Sequence, residues 1–89
     1  MTMAYMVDGL HAVVHSRRAL VGSRPLVFAF RGYEEVARSL AQQGSIVVVV
    51  SDRTALDRHM DLWRALSEQK GPLAERFFGF ATHFTVAEP

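Results

Sequence analysis

The sequence contains no cysteine among its 89 residues, and this absence excludes several kinds of chemistry. Disulfide bonds, thiolate metal sites and a cysteine nucleophile all need the missing side chain. Because disulfides belong to oxidising compartments, a chain without cysteine fits the reducing cytoplasm. We therefore expect a cytoplasmic protein.

Long apolar runs and an excess of one charge are also missing. No apolar stretch approaches the roughly 20 residues that a membrane-spanning helix needs. The first twenty residues lack a basic start followed by an apolar segment, so we expect neither a secretory leader nor a membrane partner. Ten basic and nine acidic residues leave a net charge of +1, which is too small to steer the protein strongly towards nucleic acid.

The motifs of common cofactor and catalytic sites are absent too. The chain has no glycine-rich phosphate loop and no nucleophile elbow. No element carries a pair of catalytic carboxylates. We therefore identify no catalytic residue and no cofactor, and the sequence favours a protein that is not an enzyme.

What the chain does contain is a central strand, Ile46-Val47-Val48-Val49-Val50, bounded by Gly44-Ser45 and Ser51-Asp52. β-Branched side chains suit a pleated surface, and an unbroken apolar run indicates burial on both faces. Each face then needs a covering layer, supplied by helices of this chain or by another subunit. Because 49% of this small chain is apolar, we also expect a homo-oligomer.

The other elements are predicted from the spacing of apolar residues and from the turn residues between them. Strands are predicted at Met3 to Val7, Leu26 to Phe30 and 77–86, and helices at 33–43 and 53–69. Residues 10–21 are ambiguous. Their apolar residues recur at helical spacing after Asp8, a good N-cap, but Asp8-Gly9 is also a hairpin dipeptide that would pair 4–7 with 10–14.

We favour the helix for residues 10–21. The predicted fold is then one α/β domain over residues 1–89, with a mixed or parallel sheet of about four strands and helices packed on both faces. The alternative is an α+β domain with an N-terminal hairpin. In that arrangement the helices lie on one face and a dimer covers the other.

Two acidic residues, Asp8 and Asp52, each follow a predicted strand. Open α/β sheets carry their chemistry at the carboxyl ends of strands, where two carboxylates could hold Mg²⁺. The other interpretation is that each aspartate caps the helix after it.

The stretches Tyr5 to Gly9 with His11, Glu35 to Leu40, and Ile46 to Asp52 resemble the start of PIN-like and 5′-nuclease domains. In those families an apolar strand ends in a metal-binding Asp-Gly, and a later valine-rich strand ends in a second acid. The resemblance implies a Mg²⁺-dependent nuclease fragment that uses Asp8 and Asp52.

His11 and His15 form a second candidate metal site. On a helix, an i,i+4 pair projects from one face, close to Asp8, and such a pair can chelate Zn²⁺. The other interpretation is a solvated or interface pair.

A candidate nucleic-acid surface comes from the arginines. From Gly9 to Tyr33 the chain carries four of them and no acidic residue, namely Arg17, Arg18, Arg24 and Arg31. They form either an arginine-lined patch or the solvated ends of a helix and two loops.

The last predicted strand is strongly aromatic. With a period of two, Phe78, Phe80 and Phe84 share one face, which we expect to be core or a subunit interface. The segment Arg76 to His83 is similar to the aromatic strand motif of RNA-recognition domains, which implies stacking on bases.

The function that we favour is a small cytoplasmic α/β module that acts by self-association or partner binding. Its interface would be the aromatic face of the last strand or one face of the valine strand. The alternatives are the PIN-like nuclease and a weak nucleic-acid binder that uses the four arginines.

Overall fold

A computed structural model describes residues 2–17, 24–68, 70 and 80–87, without the side chains of residues 80–82. Five strands and two α-helices are described in chain order: β1 Thr2–Val7, β2 Leu10–His15, β3 Arg24–Phe30, α1 Glu34–Gln42, β4 Ile46–Val50, α2 Leu56–Ser67 and β5 Phe80–Val86. A 3-10 turn, Arg53–Ala55, precedes α2. The strands form one mixed sheet in the order β1-β2-β4-β3-β5.

The N-terminal third is a hairpin. Asp8 and Gly9 take positive φ angles of 50° and 80°, the pattern of a type I′ turn, and β1 pairs with β2 from Thr2↔His15 to Val7↔Leu10. The predicted helix is therefore wrong over residues 10–15, and residues 18–21 lie outside the described part of the chain. The apolar residues of β2 fit a strand equally well, and its adjacent valines favour the strand.

The central strand is where the sequence places it. β4 lies between β2 and β3, antiparallel to β2 through Ala12↔Val50 and parallel to β3 through Phe30↔Val50. Each of its five residues is at most 6% exposed. The prediction of a strand buried on both faces is confirmed.

The two helices cover opposite faces of this strand. α1 packs Ala37 and Ala41 against the cluster that contains Val47 and Val49. α2 packs Trp63 and Leu66 into the larger cluster, which contains the alternate β4 residues. Since successive strand residues point to opposite faces, the helices lie on opposite sides of the sheet.

This arrangement combines parts of both predicted folds. The hairpin of the α+β alternative is present, but its single helical face is not, so a dimer is not needed to cover the valine strand. The sheet has five described strands where about four were expected. Within the described residues, neither helix is long and apolar enough to cross a membrane.

A hydrogen-bonded polar group lies inside the larger core. The Tyr5 hydroxyl is 2.7 Å from His59 Nδ1, and Trp63 Nε1 donates to the same hydroxyl at 3.3 Å. All three residues are at most 6% exposed. Because Trp63 is a donor only, Tyr5 accepts from it and donates to an unprotonated His59 Nδ1.

Burial sets the ionisation of this group. Desolvation raises the pKa of Tyr5 to about 12, although the Trp63 bond opposes the change. Burial also lowers the pKa of His59. Both side chains are therefore neutral at pH 7, as a hydrogen-bonded pair in a low-dielectric core requires.

The turn gives a first test. Gly9→Ala should lower the free energy of unfolding by about 1 to 2 kcal/mol, since a Cβ is disfavoured at φ 80°. Asp8→Asn is the matched control, because asparagine tolerates a left-handed conformation and should change stability by less than about 0.5 kcal/mol. Urea denaturation measures both variants. A Gly9→Ala protein as stable as the wild type would contradict the assignment of a type I′ turn.

The buried hydrogen bonds give a second test. Tyr5→Phe leaves both His59 Nδ1 and Trp63 Nε1 without the hydroxyl and should cost about 1 to 3 kcal/mol. Tyr33→Phe is the control, because Tyr33 is only partly buried at the edge of the same core. Equal effects of the two substitutions, measured by denaturation, would contradict the importance of the network.

A third test concerns pH. The folded-state pKa of His59 lies below its unfolded value of about 6.5, so the unfolded chain binds more protons at acidic pH. The stabilisation that neutral His59 contributes is fully present above about pH 6.5. It is lost as the pH falls, by up to about 1.4 kcal/mol per pH unit. Denaturation between pH 7.5 and 5 should show a shallower slope for His59→Gln. A His59→Gln slope equal to that of the wild type would contradict this assignment.

Candidate functional site

The two aspartates lie in different local structures. Asp52 caps the 3-10 turn, where Oδ1 accepts from Thr54 Oγ1 at 2.7 Å and from Thr54 N at 2.9 Å. These bonds lower the pKa of Asp52. Asp8 lies in the hairpin turn, where its backbone oxygen accepts from Arg58 Nη2 at 3.1 Å. The capping prediction is confirmed for Asp52 and wrong for Asp8, which precedes a strand.

The candidate metal ligands are not clustered in the described residues. No group of three or more histidine, aspartate or glutamate side chains in those segments could hold a metal ion. His11 and His15 lie on β2, where a separation of four residues corresponds to about 13 Å. The close pairing expected on a helix is therefore lost, although both side chains remain on one face.

That face belongs to the α1 side of the hairpin. Alternation puts Thr2, Ala4 and Met6 on this side of β1, opposite β2 residues of the same face. α1 packs chiefly on β4 and also contacts β2, while Ala4 and Met6 of β1 and His11 of β2 remain exposed on this side. Met6 is consequently 70% exposed, the most exposed large apolar residue of the described chain.

Among the described strands, β1 is also the last at its edge of the sheet. Its sequence, Thr-Met-Ala-Tyr-Met-Val, has no charged residue and no proline, and its register with β2 runs through all six residues without a bulge. Natural edge strands usually carry a charged residue, a proline or a bulge, each of which hinders pairing with another strand.

An upper pocket of about 320 Å³ lies at the carboxyl ends of β3 and β4, where the chain departs towards opposite helices. Its polar lining comprises His11, Arg31, Glu34 and Ser51. Two of these groups already have partners. Glu34 Oε1 accepts from Gly32 N at 3.1 Å, which lowers the pKa of Glu34, and Ser51 Oγ donates to the His11 carbonyl at 3.2 Å.

A lower pocket of about 210 Å³ lies at the other end of the hairpin, beside the last turn of α1. Seven of the described residues line it, namely Thr2, His15, Ser16, Arg17, Arg38, Ala41 and Gln42. Two are arginines and none is acidic. Burial, followed by the positive charge of Arg38, lowers the pKa of His15, and the charge of Glu34 opposes this change.

The predicted arginine patch is divided by the fold. Arg24 begins β3 and Arg31 follows its last residue, so they lie at opposite ends of a seven-residue strand. Arg18 lies outside the described residues. Arg17 lines the lower pocket together with Arg38.

Sequence reasoning missed Arg38, which lies on the helix predicted at residues 33–43. No Glu34–Arg38 ion pair forms, since Glu34 accepts a backbone N–H of Gly32 instead. The absence of acid between Gly9 and Tyr33 was the available signal, but Arg38 lies just beyond that stretch.

The predicted aromatic interface is described only at Phe84. The ring of Phe84 packs edge-on against Phe28, with centroids 5.5 Å apart, and Arg64 lies 5.4 Å from its centre. Phe84 is thus a partly buried neighbour of the larger core. Phe78 and the side chain of Phe80 lie outside the described part.

The comparisons add no relative to this geometry. No protein-family model, curated protein or solved structure matches the chain. The features that bear on function are therefore the exposed part of the hairpin, its edge strand and the two pockets.

Proposed function

We propose that the protein is a small cytoplasmic module that acts by self-association, with β1 of one copy pairing with β1 of a second. The observation that carries this proposal is the edge strand itself. β1 is six residues long, regular in register, and free of charge, proline and bulges. A strand of this kind can extend its sheet by hydrogen bonding to another strand.

The composition of β1 favours a second copy as the partner. A two-fold dimer pairs the strand antiparallel with itself, so each residue meets residues of the same strand. Any charge in β1 would then lie close to its own copy, and like charges across strands are destabilising. A strand without charge avoids this cost.

The face beside this edge supplies apolar contact. Met6 is 70% exposed, and Ala4 is exposed on the same side of the strand. In a continuous sheet across the two-fold axis, the α1-side residues of one β1 lie next to those of the other. Association would then bury the Met6 side chain against apolar neighbours and remove it from water, which favours the dimer.

The two surfaces suggested by the sequence are less available for this role. Both faces of β4 are covered by the chain's own helices, and Phe84 packs on Phe28. The cytoplasmic location fits the absence of cysteine from the chain.

Met6→Lys tests the proposal. A lysine on β1 places like charges near each other in the paired strands and should weaken association at least about tenfold. Val36→Lys is the matched control, because Val36 is 48% exposed on α1 and adds the same charge away from β1. Light scattering over a concentration series measures the mass of the wild type and of both variants.

A wild-type protein that stays monomeric into the high micromolar range would overturn the proposal, and so would equal weakening by the two lysines. Amide hydrogen exchange locates the contact independently. Exchange in β1 should slow as the protein concentration rises, whereas slowing confined to β5 would place the interface at the opposite edge.

A further inference from the structure

We propose that the lower pocket is a binding site for a phosphate group, either free phosphate or the phosphate of a small monoester. The site lies between the end of β2 and the last turn of α1. This inference is independent of self-association, because it depends on different side chains. Only Thr2 belongs to both surfaces.

The charge of the lining is the first reason. Arg17 and Arg38 both line the pocket, and both side chains are exposed to the solvent from which a ligand would enter. No lining residue is acidic, and no ion pair to either arginine is found within the described residues. Two guanidinium groups without a carboxylate partner are suited to an oxyanion, which they can bind in a bidentate manner.

A buried and unsatisfied side chain is the second, independent reason. His15 lines the pocket, is 8% exposed, and has no hydrogen-bond partner at Nε2 among the described groups. Its Nδ1 lies 3.1 Å from Thr2 Oγ1. When the Thr2 hydroxyl donates to Nδ1, the hydrogen lies on Nε2, which is then a donor without an acceptor.

Buried polar atoms are rarely left unsatisfied, and each exception requires an explanation. A phosphate oxygen at the lower pocket would supply the missing acceptor. The remaining polar groups are of the same kind, since the Ser16 hydroxyl and the Gln42 amide can both donate. The pocket therefore offers neutral and cationic donors around one small volume.

Bound phosphate should also change the titration of His15. The charged groups around this imidazole are Arg38 and Glu34 on α1, Arg17 beyond β2, and the N-terminal amine of the chain. Without ligand, burial and Arg38 hold the pKa of His15 below its usual value. A nearby dianion favours the imidazolium form, so phosphate should move the His15 titration to higher pH.

The experiment is an NMR titration of the full chain with inorganic phosphate, following the His15 ring signals and their pH dependence. We expect saturable shifts at His15 and an upward change in its apparent pKa. Arg38→Gln should weaken binding at least about tenfold, because it removes a charge-assisted hydrogen bond. Arg31→Gln, at the other end of the sheet, is the matched control and should stay within about twofold.

Separate arms distinguish the source of the phosphate. Phenyl phosphate that binds more tightly than inorganic phosphate indicates a monoester ligand, and the reverse indicates the free ion. Met6→Lys should bind phosphate as the wild type does, which separates this site from the dimer.

Three outcomes would overturn the proposal. The first is the absence of any response at His15 to both ligands. The second is an equal response to chloride at the same ionic strength. The third is tight binding of an oligonucleotide, lost equally in Arg38→Gln and Arg31→Gln, because it would indicate an extended nucleic-acid surface.

Discussion

The burial of β4 on both faces is the constraint on which the rest of this structure depends. A strand of one isoleucine and four valines has no polar side to turn towards water, so both faces and both edges must be occupied. β2 and β3 occupy the edges, and the two helices occupy the faces. The two helices differ in the size of the side chains that contact the sheet. Alanines bring α1 close to the sheet, whereas Trp63 fills the space below α2.

Covering β4 so completely has a consequence for the hairpin. Only two helices are described for five strands, and α1 is placed over the centre of the sheet. The α1 side of the hairpin therefore remains open near Ala4, Met6 and His11, whereas the end of β2 is covered and His15 is buried there. The upper and lower pockets both lie on this side of the hairpin, one near His11 and the other near His15. The surfaces with functional potential are those that the scaffold does not need for its own core.

The sequence predicted the elements whose pattern admits one interpretation. β4 has the predicted bounds, and α1 and α2 lie within two or three residues of theirs, because their turn residues and apolar periods agree. The prediction for residues 10–15 was wrong because a short apolar segment can match both the helical and the strand period. Only the choice of backbone conformation at Asp8-Gly9 separates the two structures.

The candidate sites were harder to predict for the same reason. On a helix His11 and His15 would be one cluster, but on a strand they belong to two different pockets. Arg38 joins His15 only because β2 and α1 are neighbours across the sheet. Contacts between residues distant in sequence depend on strand order, which the periodicity of a single chain does not encode.

The two buried histidines differ in the hydrogen bonding of their ring nitrogens. His59 has its Nδ1 bonded to Tyr5, which is in turn bonded to Trp63, and the whole group lies within the core. His15 is also buried, but its Nε2 has no hydrogen-bond partner within the described segments, and two arginines border its pocket. A core can keep a histidine neutral by satisfying its ring nitrogens. An unsatisfied imidazole beside two guanidinium groups costs stability, and an anion that enters from solvent would recover that stability.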